Sequence, residues 1–310
     1  EAPLYASYST AHYELPDARP MPRKNLLGAD LVFDIDAPSR KTEHVHNDLL
    51  CRICLDGVKS DALRLQEEFI LGDFGFSQKD VQVNFSGQKG FHFHVRGESV
   101  QHLSANARKQ LVAYLQGPAD EKLLFESKKF LRGPTSDAKG WGGKFHLQAK
   151  TFLASATLED LKSKGLRGKT ALSAFENRML VLNKMRDGNW DAVKGLHVLW
   201  ETLLEETRLQ HAVVIDAAVS FDISRLIRLP DSLHGSSGLT AKRVSRLQEF
   251  NVDDAVAFSK EKTINVAADK SIEFELGGQM FELAEGKTTE VPLFAGLFLL
   301  CKKRAKLVLG

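Results

Sequence analysis

The sequence predicts a mixed fold of α/β (α+β) class: two small sheets, helices covering them, and a helical region inserted at about 102–209. Three observations lead there. LVFDID (31–36) is a compact apolar run, and residues 81–95 alternate apolar with polar, as strands with one buried face do. From about 102 to 209 the apolar spacing becomes helical. After Gly238 short strand-like runs return, among them IEFEL-GG-QMFEL, whose Gly-Gly marks a hairpin.

In chain order, residues 1–43 are rich in loops, with prolines at 3, 16, 20, 22 and 38 around the LVFDID strand. From Asn47 to Leu71 the positions Leu50, Ile53, Val58, Ala62, Leu65 and Phe69 fit a helix broken once near Gly57. Val81, Val83 and Phe85, then Phe91, Phe93 and Val95, form the apolar face of a hairpin that turns at SGQKG. His92 and His94 fall on its other face. Ser104 caps a run through Leu115, Thr157-x-x-Asp160 is a capping box, and GPTSDAKGWGGK reads as a loop. Trp200, Leu203 and Leu204 share the apolar side of a helix. HAVVIDAAVSFD reads as a strand leading into RLIRLPDSLHG.

Composition narrows the function classes. The 310 residues suffice for one large or two modest domains. Apolar residues make up 43% and charged residues 26%, ordinary for a globular protein. A net charge of +2 confines any nucleic-acid surface to a local patch. Three cysteines, Cys51, Cys54 and Cys301, make no disulfide framework and point to a reducing compartment. The chain opens at Glu1 without an initiator Met, a basic n-region or an apolar signal core. The most apolar run, Val291 to Cys301, is too short to span a bilayer and precedes KKRAK, so it reads as a buried helix with a cationic last turn.

Three segments carry chemistry. Asp34 and Asp36 stand at i and i+2 of a strand and project from one side, an arrangement suited to an oxygen-ligated divalent cation. An acidic pair at a strand end is equally an ordinary surface feature. Ser86, Lys89, His92 and His94 surround the SGQKG turn, where backbone N–H groups and a lysine can meet phosphate oxygens. For His94 a satisfied polar layer competes with ligand contact. The third segment is DAAVSFDISRLIRLPDSLHG, with Asp216 and Asp222 on one face of an uninterrupted strand and Arg225, Arg228 and His234 following. Scattered charge on an exposed edge is its bland alternative. Together the three suggest metal-dependent nucleotidyl transfer.

LVFDID, SGQKGFH and RLIRLPDSLHGSSGL, in that order, resemble the signatures of the catalytic small subunit of archaeal/eukaryotic-type DNA primase. ASYSTAHYELPDARPMPRKNLLGAD and VPLFAGLFLL also resemble archaeal members. The resemblance implies one catalytic domain over 1–310, with its core in 1–101 and 210–310 and the insertion between. Asp34 and Asp36 are then metal ligands for Mg²⁺ or Mn²⁺. The family's third carboxylate precedes a Val-Ser/Thr pair and lies eighteen residues before the histidine of SLH, which selects Asp216 over Asp222. Ser86, Lys89, His92, Arg228 and His234 occupy triphosphate-binding positions. The implied reaction is template-directed synthesis of short primers from nucleoside triphosphates on single-stranded DNA. The implied partner is a large regulatory subunit, and the implied location is cytoplasmic and nucleoid-associated, with no membrane.

The chain departs from the pattern at HGSSGL, where archaeal relatives often read HGKTGL, so Ser236 replaces a phosphate-facing lysine. The resemblance also places an N-terminal segment with a nucleotide-contacting arginine upstream of Glu1. His44, His46, Cys51 and Cys54 offer four N/S ligands within eleven residues, a set that suits structural zinc. The resemblance strengthens that expectation, because small primase subunits carry a zinc knuckle just after the Asp pair; Cys51 and Cys54 could otherwise be buried helix residues. Two rival functions remain at this point. A related end-joining or repair polymerase would extend existing ends, and a nucleic-acid-binding subunit with an incomplete active site would make no phosphodiester bond.

Overall fold

A computed structural model describes residues 5–36, 49–118, 124–126 and 132–309. The chain forms two compact units. One comprises Glu1–Gln66, Phe76–Val112 and Ile215–Gly310, and the other Glu67–Gly75 and Ala113–Val214. The class is α+β, and among the described residues every strand belongs to the first unit.

Its strands are β1 (Ser7–Ser9), β2 (Ala11–Tyr13), β3 (Leu26–Ala29), β4 (Leu31–Asp36), β5 (Val81–Phe85), β6 (Gly90–Val95), β7 (Leu226–Arg228), β8 (Arg243–Val244), β9 (Thr263–Ala268), β10 (Ile272–Leu276), β11 (Gln279–Leu283), β12 (Thr288–Pro292) and β13 (Ala305–Leu307). Among the described residues they make five small sheets: β4-β6-β5-β8, β12-β9-β13, and the pairs β1-β7, β2-β3 and β10-β11. All pair antiparallel.

The four-stranded sheet follows from residue alternation. Phe33 faces Phe93, which faces Val83, and Ile35 faces Phe91, which faces Phe85. All six are at most 4% exposed. Burying such side chains stabilises the fold by roughly 1.5–3 kcal/mol each. The helix Arg52–Arg64 packs on β4 and β6, and Phe250 closes on Phe85 and Phe91 at ring distances of 5.1 and 5.5 Å. The hairpin β10–β11 turns at Gly277 and Gly278, both with positive φ (65° and 77°), as a two-residue turn of this hand requires. The C-terminal helix Leu293–Cys301 packs on β9 and is buried as expected, although Val291 and Pro292 end β12 rather than start the helix.

The second unit is helical, with helices at Gly140–Ser155, Leu158–Ser163, Gly168–Glu176, Arg178–Arg186 and His197–His211. Its core is built on Trp190, which stacks on Phe145 and meets Trp200 edge-on, both at 4.9 Å. The Thr157/Asp160 capping box is present, and Ser104 caps the helix Ala105–Leu115.

Three local readings are corrected. The helix Arg52–Arg64 runs through Gly57 without a break, because its buried positions on either side hold the helix against the sheet. GWGGK is the first turn of the helix Gly140–Ser155 and not loop, since burial of Trp141 and Phe145 outweighs the glycine penalty. HAVVIDAAVSFD is no strand: it spans a helix end, an extended link and the short helix Ala217–Phe221. Among the described residues no helix is long and apolar enough to cross a membrane.

Candidate active site

Residues directly opposite in an antiparallel ladder point to the same side. Asp34 on β4 faces His92 on β6, His92 faces Asn84 on β5, and Asn84 faces Arg243 on β8. The flanking rows are Asp36 with Gly90, and Val32 with His94 and Gln82. One face of the sheet is thus polar from acid to amide to base. The histidines lie opposite the phenylalanines as the hairpin pattern predicts, yet they are not at the surface. His92 is 7% exposed and His94 fully buried. Tyr8 of β1 covers this face, its ring stacked on His94 at 6.0 Å with the hydroxyl 3.4 Å from Nδ1.

The segment after the helix His197–His211 brings in the third carboxylate. Asp216 N–H donates to Asp34 O at 2.8 Å, so Asp216 lies beside β4. Its side chain caps the next helix through Ala218 N–H (3.0 Å) and lies 3.5 Å from Arg225. Asp222 is turned away, taking hydrogen bonds from Ser224 N–H (3.1 Å) and Ser224 Oγ (2.6 Å). Burial, then the charges of Asp36 and Asp216, push Asp34 up to about 7. Asp36 is also raised, by burial and by Asp216, against the opposing pull of Lys89. Asp222 does not enter that field.

Among the described residues no group of three or more His, Cys, Asp or Glu side chains is gathered as a ready cage for a metal ion. The donor set nevertheless fits a hard dication: three carboxylates in one field, with Asp34 Oδ1 buried and lacking a hydrogen bond. His92 Nε2 stands 3.5 Å from that oxygen without bonding it.

Across the turn, Ser86 Oγ accepts N–H groups from Gln88, Lys89 and Gly90 at 3.1–3.3 Å. Those amides, which the sequence reading aims at phosphate, are gathered on the buried serine oxygen. Gly90 is required by space: a Cβ there would lie 2.1 Å from Asp36 Oδ1. Gly87 is required twice, by φ of 84° and by His234 Cβ at 2.9 Å from an added Cβ. Lys89 is exposed.

His234 and Arg228 complete the basic side. Burial, Arg228 and His234 press His92 down to about 4; burial, Arg228 and Lys302 press His234 down to about 4. Both rings are therefore neutral donors near pH 7. His94 is lowered to about 3 by burial, His92 and Arg96. Arg228, in β7 opposite Ser7, lies over the Tyr5 ring at 4.8 Å, and its Nη1 is buried without a partner.

The structure therefore gathers Asp34, Asp36, Asp216, Ser86, Lys89, His92, Arg228 and His234 within one unit. Cys51 and Cys54 are half-buried at the start of the helix Arg52–Arg64. His44 and His46 lie outside the described residues. Sequence reasoning missed Tyr5, Tyr8 and Asn84. Only Asn84 carried a local signal, since it alternates with Val83 and Phe85 and so shares the face of His92.

A model of the DNA primase small subunit family matches residues 33–246. The DNA primase small subunit PriS of Methanothrix thermoacetophila is 33% identical, over 97% of this chain and 82% of that one. PriS of Haloarcula marismortui is 32% identical over 98% and 82%, and PriS of Methanococcoides burtonii 29% over 98% and 83%.

Proposed function

The chain belongs to the DNA primase small subunit family, and from that premise we propose that it synthesises short primers on single-stranded DNA from nucleoside triphosphates by two-metal-ion transfer. DNA primase is its catalytic function. The observation that carries the mechanism is an opposition of unpaired groups: Asp34 Oδ1 on the acidic side and Arg228 Nη1 on the basic side are both buried without hydrogen bonds.

Asp34, Asp36 and Asp216 would hold Mg²⁺ or Mn²⁺. Bound there, the ions would supply the positive charge that activates a 3′-hydroxyl and neutralises departing pyrophosphate. Arg228 contributes a fixed charge, and His92 and His234 contribute neutral N–H donors that need no proton uptake to bind an anion. Ser86 would add a hydroxyl and the exposed Lys89 a charge at the rim. Positioning and neutralisation of this kind are what phosphoryl transfer demands. Burial of His92 and of the Asp34 side chain, 17% exposed, keeps water from screening them.

Zinc held by Cys51 and Cys54 with His44 and His46, a large regulatory subunit as partner, and a cytoplasmic, nucleoid-associated setting belong to the same proposal. The testing experiment is unprimed synthesis on single-stranded DNA with each nucleotide type and each metal. Product should appear without a primer, and Asp216→Asn should abolish it while Asp222→Asn leaves it. Extension of existing ends only would indicate a repair polymerase. Loss in the Asp222 variant alone would overturn the choice of third carboxylate.

A further inference from the structure

In sequence Ser236 stands as a missing cation. In the structure it is bound to His234. Its backbone N–H lies 3.3 Å and its Oγ 3.1 Å from His234 Nδ1. An amide N–H can only donate, so Nδ1 presents its single lone pair, and the hydroxyl, the nearer of the two groups, shares that lone pair as a second donor. A neutral imidazole whose Nδ1 is bare carries its proton on Nε2.

The surrounding loop leaves this ring little freedom. His234 O accepts Ser237 N–H (3.1 Å) and Gly238 N–H (2.8 Å), and His234 N–H donates to Leu239 O (2.8 Å). The buried Ser237 hydroxyl donates to Gly87 O at 2.5 Å, which ties the loop to the SGQKG turn. Tyr5 meets the His234 ring edge-on at 6.0 Å.

We propose that Ser236 is a positioning residue that holds His234 as the Nε2–H tautomer, so that the ring offers the triphosphate a donor and not a lone pair. The proposal rests on the triphosphate role of His234 put forward above, and it assigns the device that makes this ring suitable for an anion. The opposite tautomer would turn a lone pair toward negatively charged oxygens. The two adjacent serines thus divide the work: Ser236 orients the imidazole, and Ser237 fastens its loop to the hairpin.

The experiment is long-range ¹H–¹⁵N correlation on the ¹⁵N-histidine-labelled full chain, with the His234 signal identified by its loss in His234→Gln. The same proteins are titrated with a non-hydrolysable nucleoside triphosphate. Wild type should show Nε2–H. Ser236→Ala keeps the longer backbone contact and loses the shorter hydroxyl one, so it should show a larger Nδ1–H fraction than wild type and bind about two- to tenfold more weakly, the value of one hydrogen bond. Ser236→Thr should restore both. In the His234→Gln background Ser236→Ala should cost nothing further. An Nδ1–H ring in wild type, or a Ser236→Ala spectrum identical to wild type, overturns the proposal. An equal affinity loss in both backgrounds also overturns it, because Ser236 would then touch the nucleotide itself. Should His234→Gln leave affinity unchanged, the triphosphate role of His234 falls, while the spectra still decide the tautomer.

Discussion

The two units treat buried polarity in opposite ways. In the helical unit, buried polar groups are paired. Trp190 Nε1 donates to Pro134 O at 3.0 Å, Trp200 Nε1 donates to Trp190 O at 3.2 Å, and Lys144 meets Asp73 at 2.7 Å. In the strand-bearing unit several are not. All seven buried side-chain polar atoms without hydrogen bonds among the described residues belong to it: atoms of Asp34, Arg52, Gln66, Asn84, His94, Ser220 and Arg228. Arg52 Nε still has an ion pair, with Glu275 at 3.0 Å, but leaving a buried group with no partner costs about 1–3 kcal/mol. One unit is packed for its own stability, and the other keeps polar groups unpaired, four of them around the candidate site.

The sharpest break in that comparison is at Asp34. Asp34→Asn should lower primer synthesis by roughly three orders of magnitude or more, the several kcal/mol that a bound cation supplies. The same change should stabilise the metal-free protein at high pH. Asp34 is raised to about 7 in the fold, above an unfolded value of about 4, so its contribution is fully present below pH ~4 and is lost as pH rises through about 7. Denaturation in chelator at pH 5 to 8 should show wild type losing stability relative to Asp34→Asn, and added Mg²⁺ should reverse the trend. A variant less stable than wild type at pH 8 would mean that the carboxylate is already compensated within the fold.

How much of this contrast was legible in the sequence depends on whether the signal was local. The Asp34/Asp36 pair and the His92 face could be read because strand period places them without knowledge of the rest of the chain. Asp216 could not be placed by pattern: VVIDAAVSF has strand composition, and the cap from Asp216 to Ala218 with the Asp34 backbone bond made it a helix start. The cover of Tyr8 over His94 and of Tyr5 over Arg228 joins positions 86 and 223 residues apart, for which periodicity carries no information. The same gap hid Gly57 and GWGGK, where tertiary burial overrode a local penalty.

Trp190→Ala tests the helical unit. The ring is fully buried between Phe145, Phe125 and Trp200, so truncation should destabilise by about 3–5 kcal/mol. Under conditions where the variant stays folded, nucleotide affinity should match wild type. A selective loss of affinity with stability intact would make this unit part of the nucleotide site.

Arg228→Ala should invert that pattern. Its Nη1 bonds nothing among the described residues, so removal should not lower the melting temperature beyond what loss of the contact to the Tyr5 ring costs. Triphosphate affinity should weaken by roughly ten- to a hundredfold, the 1.5–3 kcal/mol of a hydrogen bond to a charged group. Equal affinity would place the triphosphate elsewhere.

The smallest effect separates a cost kept for function from one kept for nothing visible. Gly57 sits inside the helix Arg52–Arg64, and a Cβ added there meets no atom within 4 Å. Glycine in a helix interior loses more backbone entropy on folding than alanine does, so Gly57→Ala should stabilise the protein by roughly 0.5–1 kcal/mol. Synthesis should be unchanged, because the exposed site touches neither the polar face of the sheet nor its apolar core. Denaturant midpoints together with primer yield decide the matter. A stabilised variant with reduced synthesis would show that this helix must yield locally during catalysis, and the division between stable and functional regions would then run inside the strand-bearing unit itself.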